Sequence, residues 1–334
     1  MAGLLELTPH GLYCRQADVF IDPWRPVDRA IITHAHSDHA KWGMRHYLAH
    51  HYSENILKLR LGEPISLQTV GYKEIINING VEISLHPAGH IPGSAQVRLA
   101  YKGRVTVVSG DYKVEEDGLS TPFEPVPCHE FVSECTFGLP IYKWAPQQEI
   151  NQQINDWWQM NASNNRNSVV FGYALGKAQR ILNGLNRDIG EVYVHGAVHN
   201  VNVALAGNGV PVFEAPKISS DTPRLKGALI VAPPSAMGTP WMKKLSPYQT
   251  AICSGWMNIR GARRRRAADA GFVLSDHADW NGLNQAIQAT GAEKVFLTHG
   301  STAAFAKYLK ENAHLEAVEL ETLFTGGDGE MSEA

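Results

Sequence analysis

Thr33-His34-Ala35-His36-Ser37-Asp38-His39 is the most informative stretch of this chain. It places three imidazoles and one carboxylate close together, and these groups are the ligands that zinc prefers in proteins. If the apolar strand before it continues to His36, His34 and His36 point to the same face, because side chains alternate along a strand. Asp38 and His39 then lie on a turn into a helix, where they can face a second cation. The stretch therefore predicts a metal site.

The composition is that of a globular protein with a substantial core. The chain has 334 residues, of which 44% are hydrophobic and 19% charged, which suits one large domain or two of ordinary size. A net charge of −3 gives no global positive field, so a nucleic-acid partner needs local basic patches. Four scattered cysteines without a CxxC pair favour reduced thiols and a cytoplasmic location. Neither a secretory signal nor a transmembrane helix is expected.

The pattern of the chain changes twice along its length. Residues 1–140 predict many short strands, with hairpin turns at Asn79-Gly80 and Lys102-Gly103. Strands and helices then alternate, which predicts an α/β insert with a partly parallel sheet, and short strands with helices return after about residue 268. The predicted strands are 18–21, 29–33, 81–86, 96–100, 105–109, 168–171, 192–195, 211–213, 228–232, 272–274 and 294–298, and the predicted helices are 149–162, 177–185, 280–290 and 303–312.

Further potential ligands follow predicted strands elsewhere in the chain. They are His90 in a segment rich in Gly and Pro, Asp111 after an apolar strand, the pair Asp276-His277, and His299. Each residue alone is typical of a turn. Together with the histidine-rich stretch they indicate a two-cation site, because each cation requires about four ligands and a hydrolytic site keeps one position for water. A carboxylate such as Asp111 at a strand end could bridge both cations.

These motifs, in this order, resemble those of the metallo-β-lactamase-fold hydrolases. More narrowly, the chain resembles the β-CASP nucleases, in which a second domain is inserted into that fold, and it is similar to the bacterial ligase-associated DNA exonucleases. The resemblance implies an α+β fold, with an αββα sandwich formed by residues 1–140 and 268–334 and an α/β β-CASP domain formed by residues 141–267. It rests on the segments IDPWRPVDRAIITHAHSDHA, HPAGHIPGSAQ, VVSGDYK, ECTFGLPIY, YALGKAQR, SGWMNIRG, LSDHADW and LTHG.

The resemblance also implies two zinc ions, for which manganese or iron could substitute because His and Asp ligands are permissive. It gives each ion three ligands of its own and one bridging ligand. The ligands of one ion would be His34, His36 and His90, those of the other Asp38, His39 and His299, and the bridge would be Asp111.

Three acidic or basic residues match catalytic positions of the family. Asp18 matches an acid that orients the metal loop, residues 33–39, and Asp22 is a rival for the same role. Glu134 matches the first β-CASP acidic position, where other branches carry Asp. His277 matches the histidine that this acid orients and that protonates the leaving oxygen. The resemblance therefore implies a general acid in addition to the metals.

Substrate contacts are predicted from basic and aromatic side chains. The run Arg263–Arg266, with Arg260 nearby, is the strongest basic cluster, and it fits either a solvated helix face or phosphate capture. Lys41 and Arg45 follow the metal loop and could guide a strand toward it. The candidate substrate-binding residues are Lys177, Arg180, Arg260, Arg263, Arg264 and Trp256. Stacking on bases is possible for Trp42, Trp144, Trp256 and Trp280, although core positions are more typical of tryptophan.

The leading hypothesis is a zinc-dependent DNA exonuclease that acts on single-stranded or frayed ends. The resemblance implies DNA repair beside an ATP-dependent DNA ligase and a helicase, with no membrane partner. An RNase of the messenger 3′-end processing type is the alternative, since His299 is typical of the RNA branch. A small-molecule metallohydrolase is disfavoured by the long insert. A binding scaffold with structural zinc is disfavoured because structural sites are closed.

Overall fold

A computed structural model describes residues 3–259 and 268–322. These residues form two compact units. Unit 1 contains the chain up to Lys143 and from His277 onward, and unit 2 is Trp144–Asp276. The assignment of residues 1–140 and 268–334 to a core domain, and of residues 141–267 to an inserted domain, stays a prediction. Among the described residues, none of the helices combines the length and the apolar character that crossing a membrane requires.

The strands and helices of the described residues are numbered here in chain order. The strands are β1 (Glu6–Thr8), β2 (Gly11–Cys14), β3 (Val19–Ile21), β4 (Arg29–Ile31), β5 (His46–His50), β6 (Leu67–Val70), β7 (Ile75–Ile78), β8 (Val81–Pro87), β9 (Ala95–Tyr101), β10 (Arg104–Val108), β11 (Glu130–Glu134), β12 (Asn167–Phe171), β13 (Val192–Val194), β14 (Leu229–Ala232), β15 (Tyr248–Cys253), β16 (Ala270–Phe272), β17 (Lys294–Thr298) and β18 (Glu316–Glu319). The α-helices are α1 (Glu54–Leu61), α2 (Gln147–Ser163), α3 (Lys177–Asn183), α4 (Gly196–Gly207), α5 (Trp280–Thr290) and α6 (Thr302–Asn312).

Unit 1 contains two sheets. The first has six strands in the order β1-β2-β3-β4-β5-β6, and the second has seven in the order β18-β17-β11-β10-β9-β8-β7. In the second sheet β10, β11, β17 and β18 are parallel to one another. The carboxyl ends of parallel strands lie at the same edge of a sheet. Residues that follow β10, β11 and β17 are therefore brought to one edge.

Both predicted hairpin turns of unit 1 are confirmed. Asn79 and Gly80 join β7 to β8 with φ angles of 51° and 84°. Lys102 and Gly103 join β9 to β10 with φ angles of 47° and 78°. Two-residue loops with both φ angles positive match the right-handed twist of antiparallel strands, and they favour Asn-Gly-like pairs. These turns fix the register of the antiparallel half of the second sheet.

The second sheet of unit 1 is covered on both faces. One hydrophobic cluster joins side chains of the first sheet, such as Ile21, to side chains of the second sheet, such as Val97. A separate cluster packs Val295 of β17 against Leu283 of α5 and Phe305 of α6. Burial on both faces explains why the central strands are nearly continuous runs of apolar residues. It also makes the strand ends rigid supports for polar side chains.

Unit 2 is built on a parallel sheet of five strands in the order β13-β14-β12-β15-β16. Helices pack on it through apolar side chains, among them Trp158 of α2, Ile181 of α3 and Val198 of α4, which share a cluster with Val170. The indole of Trp158 also donates to the carbonyl of Gly227 at 2.8 Å. The alternation of strands and helices predicted for this region is confirmed.

Several elements differ from the sequence prediction. The strand predicted at 29–33 ends at Ile31, and residues 211–213 form no strand. Pro211 lacks an N–H for a strand ladder, and the ring of Phe213 instead packs under Arg187, with the guanidinium 4.1 Å from the ring centroid. The sequence did not predict β5, β15, α1 or α4. Helix α4 has β-branched residues and no charged side chain, so its pattern is weak.

A candidate metal centre with an adjacent histidine and glutamate

Residues 33–39 form a loop and not a strand. The carboxylate of Asp22 takes the place of a neighbouring strand as the hydrogen-bond acceptor for Thr33. The Asp22 carboxylate accepts hydrogen bonds from the Thr33 backbone N–H at 2.8 Å and from Thr33 Oγ1 at 2.5 Å. The expectation that the strand continues to His36 and leads into a helix is therefore wrong, because residues 37–39 form a turn that no helix follows. The rings of His34 and His36 still meet, with centroids 4.9 Å apart.

The first group of potential ligands is the one that the resemblance implies. One ligand atom each of His34, His36, His90 and Asp111 lies within 4.8 Å of the others. His90 Nε2 is 3.0 Å from His36 Nδ1. His34 Nε2 is 3.5 Å and His90 Nε2 3.9 Å from Asp111 Oδ2. The strand ends thus bring residues from three distant parts of the sequence to one point.

The second group shares Asp111 with the first. One ligand atom each of His39, Asp111 and His299 lies within 4.8 Å of the others. His39 Nε2 is 3.5 Å from Asp111 Oδ1 and 3.7 Å from Asp38 Oδ2, and the rings of His39 and His299 are stacked with centroids 5.2 Å apart. The two oxygens of Asp111 therefore face different groups, as a bridging carboxylate requires.

The electrostatics of these groups suit bound cations. His34 Nε2 and Asp111 Oδ1 are buried, and neither makes a hydrogen bond to a residue of the described chain. A buried polar atom without a partner costs on the order of 1–3 kcal/mol, and a metal ion would satisfy both. Burial, together with the charge of His39, lowers the pKa of His34 well below its ordinary value, so its imidazole is neutral and can ligate.

Asp111 is ionised despite its burial. Burial alone would raise the pKa of this carboxyl, but the positive charge of His39 holds the pKa of Asp111 well below its usual range. For His39 burial acts to lower the pKa, and the carboxylates of Asp111, Asp38 and Asp22 together raise it well above its ordinary value. A proton and a cation therefore compete for His39. The residues present fit a pair of divalent cations.

Asp22, and not Asp18, is hydrogen-bonded to the loop 33–39. His39 Nδ1 lies 2.7 Å from Asp22 Oδ2, and because a carboxylate only accepts, Nδ1 carries the proton and Nε2 is turned toward Asp111. Asp18 is exposed and accepts a hydrogen bond from the Tyr13 hydroxyl at 2.8 Å. The hydrogen bonds thus favour Asp22 over Asp18 for the predicted orienting role, since Asp18 lies on the turn before β3 and Asp22 at the end of β3, beside β4.

Two further residues that the sequence did not predict hold the loops in place. The hydroxyl of Ser94 accepts hydrogen bonds from the backbone N–H groups of His90 and Ile91 at 3.1 and 3.2 Å. Gly110 has a φ of 58°, and a Cβ atom there would lie 2.6 Å from Thr33 Oγ1. Only glycine fits this position without strain. The close approach explains the Gly that precedes Asp111.

Glu134 and His277 form a buried pair beside the ligands. His277 Nδ1 lies 3.0 Å from both carboxylate oxygens of Glu134. Glu134 also accepts from the Tyr112 backbone N–H at 2.8 Å and from Thr136 Oγ1 at 2.6 Å. These bonds fix the carboxylate, which in turn fixes His277 with Nε2 directed away from Glu134. The ring centroid of His277 is 4.7 Å from that of His90.

Neither Tyr112 nor Thr136 was predicted as part of the site. A hydroxyl residue two positions after Glu134 is the only sequence signal for Thr136, and it is a weak one. Tyr112 contributes its backbone N–H, which no side-chain pattern reports. The site is therefore larger than its motif residues.

Two of the predicted substrate-binding residues are buried within unit 2. Lys177 and Arg180 are each only 1% exposed. Lys177 Nζ lies 3.2 Å from Asp276 Oδ1, and Arg180 Nη1 donates to the Ser275 carbonyl at 2.9 Å. Both residues thus have partners within unit 2, and their role in guiding a strand stays a prediction. Trp256 is half-buried against an apolar cluster of the same unit. Arg260, Arg263 and Arg264 lie outside the described residues.

Comparison with known proteins gives several relatives at low identity. A probable DNA ligase of Opitutus terrae is 28% identical over 310 residues, which are 92% of this chain and 30% of that protein. RNase aCSPSF2 of Saccharolobus solfataricus is 23% identical over 307 residues, 76% of this chain and 60% of the relative. Cleavage and polyadenylation specificity factor subunit 3 of Dictyostelium discoideum is 26% identical over 120 residues, 35% of this chain and 15% of that protein.

No protein-family model matches the chain. Among solved structures, a protein of unknown function from Enterococcus faecalis V583 superposes with a TM-score of 0.60 at 14% identity, covering 87% of this chain and 79% of the other. The chain spans less than two thirds of the length of the probable DNA ligase and of RNase aCSPSF2. These relatives confirm the resemblance to the β-CASP nucleases of the metallo-β-lactamase fold.

Proposed function

We propose that this protein is a metal-dependent hydrolase that cleaves phosphodiester bonds of nucleic acid, with DNA exonuclease activity as the leading form. The observation that carries the proposal is the convergence of two ligand groups that share Asp111, next to the Glu134–His277 pair. Neither feature alone distinguishes a nuclease from other metallohydrolases. Their combination supplies both a cation site and a proton donor. We also propose that unit 1 is an αββα sandwich and unit 2 the β-CASP domain.

Two zinc ions, or manganese or iron in their place, would be held by His34, His36 and His90, by Asp38, His39 and His299, and by Asp111 between them. When bound, such cations activate water and neutralise the charge that builds on a phosphodiester during hydrolysis. The protein's own contribution is to hold the ligands. Asp22 fixes the tautomer of His39, and the hydroxyl of Ser94 holds the His90 loop.

His277 acts as the general acid in this proposal. Glu134 binds Nδ1, so Nε2 is the nitrogen that would carry the proton to the departing sugar oxygen. The hydrogen bonds from Tyr112 and Thr136 keep the Glu134 carboxylate from rotating away. A general acid held on a fixed carboxylate is productive only if the scissile bond lies within hydrogen-bond reach of Nε2.

DNA is proposed as the substrate because a relative aligned with 92% of this chain is named a probable DNA ligase. The same similarity supports a role in repair beside a ligase. Association with a helicase stays a prediction. RNA is the second candidate, because other relatives are named RNases and His299 lies in the ligand group. The proposed location is the cytoplasm, supported by the four free, buried cysteines of the described chain.

The test is digestion of end-labelled single-stranded DNA and RNA of one sequence by the purified protein, with chelator, zinc or manganese. We expect metal-dependent release of mononucleotides, faster from DNA, and no release with chelator. His34→Ala should remove activity and metal together. Asp18→Ala, which changes an exposed acid outside the ligand groups, is the matched control. Cleavage that resists chelation, or a metal content unaffected by His34→Ala, would refute the proposal.

A further inference from the structure

The loop after the metal ligands exposes a tryptophan. Trp42 is 74% exposed, and within the described residues it makes no side-chain hydrogen bond or ring contact. A single exposed apolar side chain is ordinary on a protein surface, so Trp42 gains meaning only from its charged neighbours. Trp42 lies three residues after His39, so the chain can separate their Cα atoms by at most about 11 Å. Trp42 therefore lies on the same stretch of chain as the candidate ligands, within that distance of His39.

A second loop supports the one that carries Trp42. The backbone N–H of Arg45 donates to the Val27 carbonyl at 3.1 Å, and that of His46 donates to the Asp28 carbonyl at 2.8 Å. A Cβ atom on Gly43 would lie 3.2 Å from Pro26 Cγ. The segments 25–29 and 41–45 thus form one continuous surface in unit 1.

This surface is rich in positive charge. We call it the basic rim, and define it as Arg25, Arg29, Lys41, Trp42 and Arg45. The segments 25–29 and 41–45 contain one carboxylate, that of Asp28, which lies 3.6 Å from the Arg29 guanidinium and 3.5 Å from that of Arg45. The side chains of Arg25 and Lys41 make no ion pair with any residue that the structure describes. Four cations against one acid contrast with a net charge of −3 for the whole chain.

We propose that the basic rim binds the part of a single-stranded nucleic acid that extends away from the metal centre, with Trp42 stacking on a base and the cations holding phosphates. The inference rests on the proposed function and gives it a substrate-binding surface. Stacking on an aromatic side chain tolerates any base, because every base has a π face, while neighbouring cations follow the backbone. The rim has both components. Arg29 and Arg45 lie at the amino ends of β4 and β5, whereas the ligand loop follows the carboxyl end of β4, so a bound strand would run from the ligands past Trp42 to these arginines. It would favour unpaired strands, whose bases can turn outward.

The decisive comparison uses two strands with the same phosphates. One is a fluorescent oligothymidylate, and the other has abasic sites at every position. For the parent protein we expect about tenfold tighter binding and a correspondingly lower KM for oligothymidylate. Trp42→Ala should bring both strands to the same affinity with kcat and metal content unchanged. Trp42→Phe should keep most of the preference. Ile75→Ala, which truncates a side chain 60% exposed on β7, is the matched control.

The outcomes separate this inference from the proposed function. If the parent cleaves oligothymidylate and Trp42→Ala still distinguishes the two strands, the rim assignment is wrong. It is also wrong if Trp42→Ala alters metal content, since Trp42 would then act on the loop, or if it only changes the oligomeric state, since Trp42 would then contact another protein copy. If the parent binds both strands as expected but cleaves neither, the nuclease proposal fails while the binding surface stands.

The phosphate contacts can be measured separately, through the dependence of binding affinity on salt concentration. The affinity for a single strand falls with salt by about 0.7 logarithmic units per phosphate contact for each tenfold rise in salt. Arg25→Ala/Lys41→Ala should therefore reduce that slope by about 1.4. Lys102→Ala/Lys310→Ala removes two exposed lysines elsewhere in unit 1 and should leave the slope unchanged. Equal slopes for the two double variants would overturn the inference. Running DNA and RNA strands in parallel shows which polymer the rim prefers.

Discussion

Charged and polar side chains are buried in two regions of this protein, and the two regions use them differently. In unit 1, the buried side chains of His34, His90 and Asp111 converge with that of His36, so that one ligand atom of each lies within 4.8 Å of the others. In unit 2, Lys177 is just as buried, but an ion pair with Asp276 neutralises its charge. Burial by itself is therefore a poor guide to function. A buried carboxylate on which several imidazoles converge indicates a site, whereas a buried cation with one carboxylate partner indicates structure.

The largest effect is expected when the Glu134–His277 pair of unit 1, the proposed catalytic pair, is disrupted. His277→Ala should lower kcat by about 10²- to 10⁴-fold, because a positioned general acid is lost. Metal content should stay at the parental level, since His277 is assigned no metal. Glu134→Gln should have a smaller effect in the same direction. Nucleotide release and elemental analysis of the same samples measure both quantities. Parental kcat in His277→Ala would remove this residue from the mechanism.

The next effect concerns the buried ion pair of unit 2. Lys177→Met leaves Asp276 buried without its cation and should lower the free energy of unfolding by about 3–5 kcal/mol. Lys307→Met is the matched control, because its ion pair with Glu311 is exposed and spans 3.9 Å, and it should cost less than about 1 kcal/mol. Denaturant unfolding measures both. If Lys177→Met unfolds like the parent but raises KM for oligonucleotides, Lys177 contacts substrate after all.

A third prediction uses a buried histidine outside both ligand groups. Burial lowers the pKa of His50 from 6.5 to about 3. The folded protein holds it neutral, whereas the unfolded chain takes up a proton below pH 6.5, so stability present above that pH is lost as the pH falls toward 3. The loss should reach about 3 kcal/mol by pH 4. His50→Asn should flatten this part of the pH profile of the metal-loaded protein. An unchanged profile would mean that His50 is not the group responsible.

The smallest expected effect is a difference in metal affinity between variants of two acids that lie four residues apart, Asp22 and Asp18. Asp22→Ala should weaken metal binding by about 10- to 100-fold, because the partner that orients His39 is lost. Asp18→Ala should change neither metal affinity nor, beyond about 0.5 kcal/mol, stability. Titration of the metal-free proteins with zinc measures the affinities. Equal losses in the two variants would show that the metal loop depends on the turn before β3 as well.

Much of the fold could be predicted because its signals are local. The turns at Asn79-Gly80 and Lys102-Gly103 and the helix Trp280–Thr290 follow from residue types and spacing alone. The elements that were missed have weak local signals. Helix α4 mixes β-branched and small residues without charges, and β5 carries histidines where a strand pattern expects apolar residues. Their stability comes from packing that the sequence pattern does not show.

The sequence by itself determined which residues are available as ligands. His, Asp and Glu at strand ends, and a histidine-rich stretch, are visible without any coordinates. The tertiary structure alone decided which of them meet. Parallel strands β10, β11 and β17 bring Asp111, Glu134 and His299 to one edge, although the chain separates them by many residues.

The tertiary structure also decided between neighbouring candidates of the same chemistry. Asp18 and Asp22 are the same residue type at the same end of the chain, and both have positive φ angles. Only Asp22 lies against β4, where Thr33 and His39 can donate to it. Likewise, the sequence shows only that Lys177 lies on a helix. The structure shows that its side chain is paired with Asp276. The physical reason is that side-chain chemistry is a local property, whereas burial and partners are set by contacts between distant parts of the chain.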